Sequence, residues 1–458
     1  MTGIRVLLEI ASERPDALEM HSAAVEGESE AERQAADLLS DVGGAGIELD
    51  QNCTPIPMFL DVGASPGADF IDSVQPLHPE LAPVSRTMIL PAEISRERLD
   101  DLRGNPNVSI WPNSPLTLFS AHEAMDSARS DGGVDCRPFR DAVDLAVLRD
   151  LLGTDMLWDS GYRGQSIVVG ILDEGVNGDE YPVIGGFARP GAFVQPGAAA
   201  ITSHGSMCAA DVLVAAPAAR LYDYPFLGIP NSGGALQMFQ AVLNQWNIDG
   251  TPQITNNSYG FAGVPDPAQA PNHEIHDINH PLHRKVREVV SAGVACFFAA
   301  GNCGQNCPSG RCHPSGIGPG VSIHASNSLE EVITVAAVNS RHERIGYSSQ
   351  GPGMFEPQKP DVASYSHFFG NFGPGRPAGT AASAFDNGTS AATPVAAGVG
   401  AALLSANPGL TPAELKLLLM DTAIDIGRSV GWDADHGRGV VNAAAAFSSM
   451  RGRLPLVG

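Results

Sequence analysis

A doubly wound, mostly parallel α/β sheet flanked by helices, with a small α+β domain in front of it, is the fold class that the sequence predicts. Three observations carry this. From about residue 141 onward, short apolar β-rich runs alternate with helical stretches. The first 115 residues alternate strands and helices on a smaller scale. Between the two lies 114–140, "SPLTLFSAHEAMDSARSDGGVDCRPFR", polar and Gly-bearing as a linker would be.

In the front part, "IRVLLEIA" (4–11), "IELD" (47–50), "RTMILPA" (86–92) and "VSIWPN" (108–113) read as strands. "EAERQAADLLSDVG" (30–43) reads as a helix stopped by Gly43 and Gly44, and "SRERLDDLRGNP" (95–106) as a short helix opened by Ser95. This βαβ, βαβ order predicts a small ferredoxin-like sheet with two helices on one face. Residues 51–85 fit neither pattern and are expected to be loop. In the second part the strand candidates are 166–172, 219–226, 253–260, 294–302 and 331–338, with helices at 234–246 and 283–293. Such alternation implies right-handed crossovers in one buried sheet. The expected division is 1–119 front domain, 120–140 linker, 141–450 main domain and 451–458 tail.

The chain has 458 residues, 43% of them hydrophobic, enough for a large core. Its net charge is −24, which disfavours nucleic acid and anionic membrane surfaces as partners. Residues 1–120 hold 20 Asp and Glu against 7 Lys and Arg, a net −13; an acidic segment can simply aid solubility. "MTGIRVLLEIASERPD" has no long apolar stretch, because Glu9 interrupts it, so neither a secretory signal nor a membrane span is expected. Seven cysteines, an odd number, fit a reducing compartment, and a cytoplasmic location is the expectation.

Three residues at element boundaries carry candidate chemistry. Asp173 ends the strand "VVGIL", at the sheet edge where ligands gather in open α/β folds. His204 sits in "TSHGSMCAADVLVA", at the start of an expected small-residue helix. Ser390 sits in "DNGTSAATPVAAGVGAALL" (386–404), where Asn387, Thr389 and Ser390 are helix-capping types and Pro394 falls near the helix start. That stretch reads either as a capped core helix or as a nucleophile at the positive end of a helix dipole. A serine hydroxyl needs a His base and the His an acidic orienter, and the order Asp…His…Ser supplies both.

With these motifs the sequence resembles the subtilisin-like serine peptidases over roughly 145–447. "IVVGILDEGVNG" is similar to the family's aspartate motif, "SHGSMCA" to its histidine motif and "NGTSAATPVAAG" to its serine motif. "FFAAGN" resembles the segment ending in the oxyanion-hole Asn, here Asn302; "TVAAVNSRHERIGYSSQGP" and "GRGVVNAAAAF" resemble further family segments. The resemblance implies a subtilisin-like fold and a peptidase acting through an acyl-enzyme. Ser390 would attack, His204 would carry the proton, Asp173 would fix the imidazole, and Asn302 with the Ser390 N–H would hold the oxyanion. "NNSYG" and "SGGA" (232–235) resemble the two strands that clamp the substrate, with Ser258, Gly260 and Gly233 as contacts and Ala300 and Gly301 beside them.

Two positions depart from the pattern. Glu174 stands where Ser or Thr is usual and is expected to face solvent; pointing inward, it would favour the imidazolium of His204. Met207 stands where a second His is usual. "RTMILPAEISRERLDDLRGNPNVSIWPNSPLTLF" resembles the end of the family's inhibitory propeptide, which makes the front domain a zymogen element and an intramolecular inhibitor; an unrelated partner-binding domain is the alternative. Its final "SPLTLF" is extended and apolar, suited to lie between the substrate strands.

Cys303, Cys307, Cys312 and His313 could in principle make a Cys₃His zinc site, although the spacing is irregular and adjacent residues rarely reach one ion. A disulfide or reduced thiols are the alternatives, and Cys296 reads as core. The family resemblance allows calcium, but no acidic loop shows calcium-ligand spacing, so no cofactor is required by the sequence. The expected activity is a serine endopeptidase on peptide or protein substrates. The alternatives are a peptide ligase or macrocyclase on the same triad, or a catalytically silent peptide-binding module.

Overall fold

A computed structural model describes residues 3–12, 37–40, 42–44, 46–50, 53–59, 86–119, 134–136, 142–189, 192–226, 230–370, 386–427 and 430–453. The chain forms two compact units, Met1–Asn113 and Ser114–Gly458.

The front unit is an antiparallel sheet centred on Ile4–Ser12, paired on one side with Arg86–Ile94 and on the other with Val108–Pro112. Ile47–Leu49 and Ile56–Phe59 share the outer edge of Arg86–Ile94. The resulting strand order is that of a ferredoxin-like sheet. Period-two alternation puts Val6, Leu8 and Ile10 with Met88, Leu90, Ala92 and Ile94 in one apolar cluster, closed by Leu102 of the helix Arg96–Leu102. That helix opens where the sequence places it: Ser95 Oγ accepts the Arg98 N–H at 3.2 Å. Glu9, which interrupts the first apolar run, is buried yet satisfied by the Thr87 hydroxyl and by Trp111 Nε1 at 2.8 Å. The strand Ile56–Phe59 corrects the expectation of a loop there; the rest of 51–85 is described only in part. Of the helix expected at 30–43, only 37–40 among the described residues are helical.

The second unit is built on a largely parallel sheet. Its parallel strands run in the spatial order Val183–Gly186, Arg220–Pro225, Val168–Asp173, Ile254–Asn257, Ala295–Ala299, Ile333–Val338, with Val362–Tyr365 alongside the last. Fully buried Ile171, Phe297, Phe298 and Val335 show why these runs lack polar alternation: helices cover both faces. The strand expected at 253–260 breaks at Ser258, and its tip, Tyr259–Gly260, leaves the sheet to pair elsewhere.

The helix Thr389–Ala406 crosses the core against His204–Ala215. At the crossing the backbones approach so closely that a Cβ on Gly398 would lie 2.2 Å from the Val212 carbonyl oxygen. Among the described residues Thr389–Ala406 is the one helix long and apolar enough to cross a membrane, with mean hydropathy 1.3, but 89% of it is buried within the fold.

Two expectations about connections are corrected. Ser114–Phe119 and 134–136 are not free linker: the first is hydrogen-bonded into the second unit, and Val134–Asp135 is a strand paired with Arg344–Ile345. The C-terminal helix Ala443–Arg453 runs past the expected start of the tail.

Candidate active site

Three elements converge on one point at the carboxyl edge of the sheet. The strand Val168–Asp173 delivers Asp173, fully buried, one of whose oxygens takes the Glu174 N–H at 2.8 Å. The helix His204–Ala215 delivers His204 from its first residue. Ser203 caps that helix, accepting from Ser206 N at 3.0 Å and donating to the Gly175 carbonyl at 2.7 Å. Both Asp173 oxygens lie 2.9 Å from His204 Nδ1, a geometry in which Nδ1–H donates and Nε2 is left as the base. Ser390, second residue of the helix Thr389–Ala406, completes the group.

Its hydroxyl does not point at the imidazole. Ser390 Oγ donates to the Phe119 carbonyl oxygen at 2.8 Å, and His204 Nε2 has no hydrogen-bond partner among the described residues. Asn302 Nδ2 donates to the same carbonyl at 2.6 Å. The asparagine is oriented from behind, its Oδ1 accepting from Thr389 N at 2.9 Å and Thr389 Oγ1 at 3.0 Å. Gly388, with φ of 82°, leaves room here, since a Cβ on it would sit 2.7 Å from the Phe119 oxygen.

Ser114–Phe119 lies extended across these residues as a strand between two edges. On one side Thr117 and Leu118 pair antiparallel with Gly260 and Tyr259, and Phe119 N donates to the Ser258 carbonyl at 3.2 Å. On the other, Leu116 N donates to the Pro230 carbonyl at 2.7 Å, and Ser232 N donates to the Ser114 carbonyl at 3.0 Å. The Phe119 ring fills a slot walled by Gly260 and Gly301: a Cβ on either would come within 2.5 Å and 3.5 Å of its Cζ.

The structure thus brings together Asp173, His204, Ser390, Asn302, Ser258, Gly260 and Gly301. Ala300 is one step removed, its N–H bonded to the Val335 carbonyl at 2.9 Å. The strand expected at "SGGA", which holds Gly233, is corrected: it is the first turn of the helix Ser232–Asp249, capped by Asn231, and the described backbone hydrogen bonds to the segment come from Pro230 and Ser232. Glu174, expected to face solvent, is half-buried, and its carboxylate accepts the His204 backbone N–H. Burial alone would lower the His204 pKa; the charge and hydrogen bond of Asp173, with the charge of Glu174, outweigh it and raise the imidazole above its ordinary value. Met207 is buried in the main core.

The cysteines do not form the considered zinc set. Cys303 is bonded to Cys312, and Cys307 to Cys136, while His313 Nδ1 bonds Ser315 Oγ at 2.8 Å. The partner of Cys307 lies 171 residues away, so local spacing held no sign of it. Cys296 is buried in its strand, as the sequence suggests. Asp173, His204 and Cys208 are the one His, Cys and acid group among the described residues close enough to share an ion. The Asp173–His204 hydrogen bonds account for that closeness.

An acid, an imidazole and a helix-start hydroxyl at the carboxyl edge of a parallel sheet are the arrangement of a serine hydrolase, and here the strand Ser114–Phe119 is laid across them. Residues 164–446 match the model of the subtilase family, peptidase S8, and the chain belongs to that family of serine peptidases. It is 28% identical over 307 residues to subtilisin DY of Bacillus licheniformis, spanning 65% of this chain and 96% of that protein. It is 31% identical over 276 residues to the serine protease AprX of Bacillus subtilis, spanning 52% of this chain and 56% of that one. In fold it is similar to fervidolysin from Fervidobacterium pennivorans, a keratinolytic enzyme related to subtilisin, with a TM-score of 0.56 at 17% identity; the match covers all of this chain and 62% of that chain.

Proposed function

We propose that this serine peptidase is an endopeptidase working through Asp173, His204 and Ser390, with Asn302 stabilising the oxyanion. The observation that carries the reading is the Phe119 carbonyl oxygen, which receives hydrogen bonds from both Ser390 Oγ and Asn302 Nδ2. In acylation Oγ bonds to the carbonyl carbon while its proton passes to His204 Nε2. The tetrahedral oxyanion is held by Asn302 and by the Ser390 N–H at the helix start. His204 then gives the proton to the leaving amine as the C–N bond breaks. Water repeats the sequence to release the acid.

Two backbone edges read the substrate by main-chain hydrogen bonds, and the glycine-walled slot takes a large apolar side chain before the cut bond. In this reading residues 1–119 are a propeptide whose last six residues occupy the cleft. The two disulfides support an oxidising compartment in place of the cytoplasmic location that the odd cysteine count suggests. The test is a fluorophosphonate label on Ser390 combined with product masses from a peptide ending its non-prime side in Leu-Thr-Leu-Phe. Hydrolysis adds one water per cut, ligation adds none, and a silent binding module takes no label.

A further inference from the structure

The hydrogen bonds around Ser114 extend past the part of the cleft that the mechanism uses. Six residues before the proposed cut bond, this serine has every polar atom engaged by side chains or backbone of the second unit. Its N–H donates to Glu274 Oε1 at 3.0 Å and to Ser232 Oγ at 2.9 Å. Its hydroxyl donates to Glu274 Oε2 at 2.9 Å and stands 3.1 Å from His273 Nε2. Its carbonyl receives Ser232 N at 3.0 Å.

Glu274 is a completely buried carboxylate, an expensive group to place inside a protein unless it is fully partnered. Burial pushes its pKa up, but His280, His273 and the Ser232 hydroxyl outweigh that and hold it below the ordinary carboxylate value, so it is charged. It is fixed in place: its backbone carbonyl bonds His283 Nε2, and His283 Nδ1 bonds Ser326 Oγ at 2.9 Å. Burial holds the His273 pKa below its ordinary value, against the charge of Glu274, which raises it. The His273 Nδ1 lies 3.2 Å from the Ile275 nitrogen and 3.3 Å from Glu274 Oε2, and its Nε2 faces the Ser114 hydroxyl. The site therefore presents a carboxylate acceptor, Glu274 Oε2, at 2.9 Å and an imidazole nitrogen, His273 Nε2, at 3.1 Å from one hydroxyl oxygen. A hydroxyl satisfies both at once. A methyl group leaves a buried charge underpartnered, and a carboxylate meets like charge.

Resting on the cleft assignment above, we infer that Glu274, Ser232 and His273 form a distal subsite that selects peptides bearing Ser or Thr, with a free backbone N–H, six residues before the cut bond. The subsite disfavours Pro there, which lacks the N–H, and Asp or Glu, which are repelled.

The test uses the full chain made uncleavable by Ser390→Ala, with hydrogen exchange read at the amides of Leu116 to Phe119. These amides are expected to be protected. Ser114→Asp or Glu274→Gln should speed their exchange roughly tenfold or more, the loss of a hydrogen bond to a charged group. Ser114→Ala should do so less, and should add little on top of Glu274→Gln. The Ser114 variants change only the bound segment, so a fold defect in Glu274→Gln cannot decide the outcome alone. Protected amides whose rates ignore all these changes would overturn the subsite and leave the active-site assignment standing. Amides already unprotected in Ser390→Ala would overturn both. Cleavage of free peptides provides a second reading: equal kcat/KM for Ser and Asp at this position, with the same cut bond by mass, would also overturn the subsite.

Discussion

Asn302 and Thr389 hold each other in register, with Oδ1 of the asparagine accepting both the backbone N–H and the hydroxyl of the threonine. The helix that carries Ser390 thereby aims the amide of Asn302 at the Phe119 carbonyl. Replacing Asn302 by Ala is expected to lower kcat about 100- to 1000-fold, the range established for a subtilisin side-chain donor, with KM little changed. Thr389→Val should cost less, since Nδ2 remains but is less firmly aimed. Steady-state kinetics on a chromogenic peptide separates the two. An Asn302→Ala enzyme of undiminished kcat would remove this residue from the oxyanion site.

The triad acts as a unit, so its losses should not add. Ser390→Ala and His204→Ala are each expected to lower kcat by several orders of magnitude, and the double variant by scarcely more; Asp173→Ala should cost somewhat less. Because Asp173 is buried beneath His204, thermal unfolding must be followed alongside activity. Ser390→Ala should melt close to the parent.

In the proposed mechanism the acid limb of the pH profile belongs to His204, which must be neutral to accept the Ser390 proton. Its pKa is raised, so activity falls as pH drops through a value above the ordinary histidine one. Glu174 contributes to this rise, its carboxylate sitting at the His204 backbone N–H. Removing the charge with Glu174→Gln disfavours the imidazolium, lowers the pKa and extends activity to lower pH. A log kcat/KM profile checks the direction; an acid limb that stays or moves upward contradicts it.

How far the sequence reaches is clearest at these residues. Asp173, His204 and Ser390 are legible because each lies at an element end in a local motif whose backbone context, a buried strand or a helix start, determines where the side chain goes. The parallel strands are legible for the same reason, as uninterrupted apolar runs. What escapes is decided by partners distant in sequence. "SGGA" looks like a clamping strand, yet Asn231 caps a helix there. Glu174 is turned inward by an N–H thirty residues later. Cys307 finds Cys136 across the fold, and no spacing rule around 303–313 records it. Glu274 and His273 carry no motif, and their role becomes visible only through the segment that reaches them.

Side-chain preference should be set by Gly260. A Cβ there would lie 2.5 Å from the Phe119 ring tip, so Gly260→Ala closes the bottom of the slot. The expected result is a loss of about 10- to 200-fold in kcat/KM for Phe before the cut, with Ala or Val substrates less affected, the scale on which apolar pockets discriminate. Profiling with a peptide library reads it directly, and an unchanged Phe preference would place the slot elsewhere.

The last prediction concerns the bond after Phe119. Ser114–Phe119 occupies the cleft with its final carbonyl oxygen under Ser390 and Asn302, and it is covalently continuous with residues 1–113. In the proposed mechanism the bond to be cut in the intact chain is therefore Phe119–Ser120. An intramolecular reaction of this kind should proceed at a rate independent of protein concentration, and Ser390→Ala should abolish it. After the cut, the released front part should still inhibit. Tethered, it acts at an effective concentration of about millimolar; free, it is diluted to its own concentration. While bound it also stabilises the folded enzyme by mass action, so its removal should lower the melting temperature. Intact mass spectrometry with N-terminal sequencing is the measurement. A new terminus at Ser120, first-order kinetics and inhibition by added residues 1–119 are expected together. A fully active chain with the Phe119–Ser120 bond intact would show that the segment does not gate the cleft, and the front unit would then be a partner-binding domain.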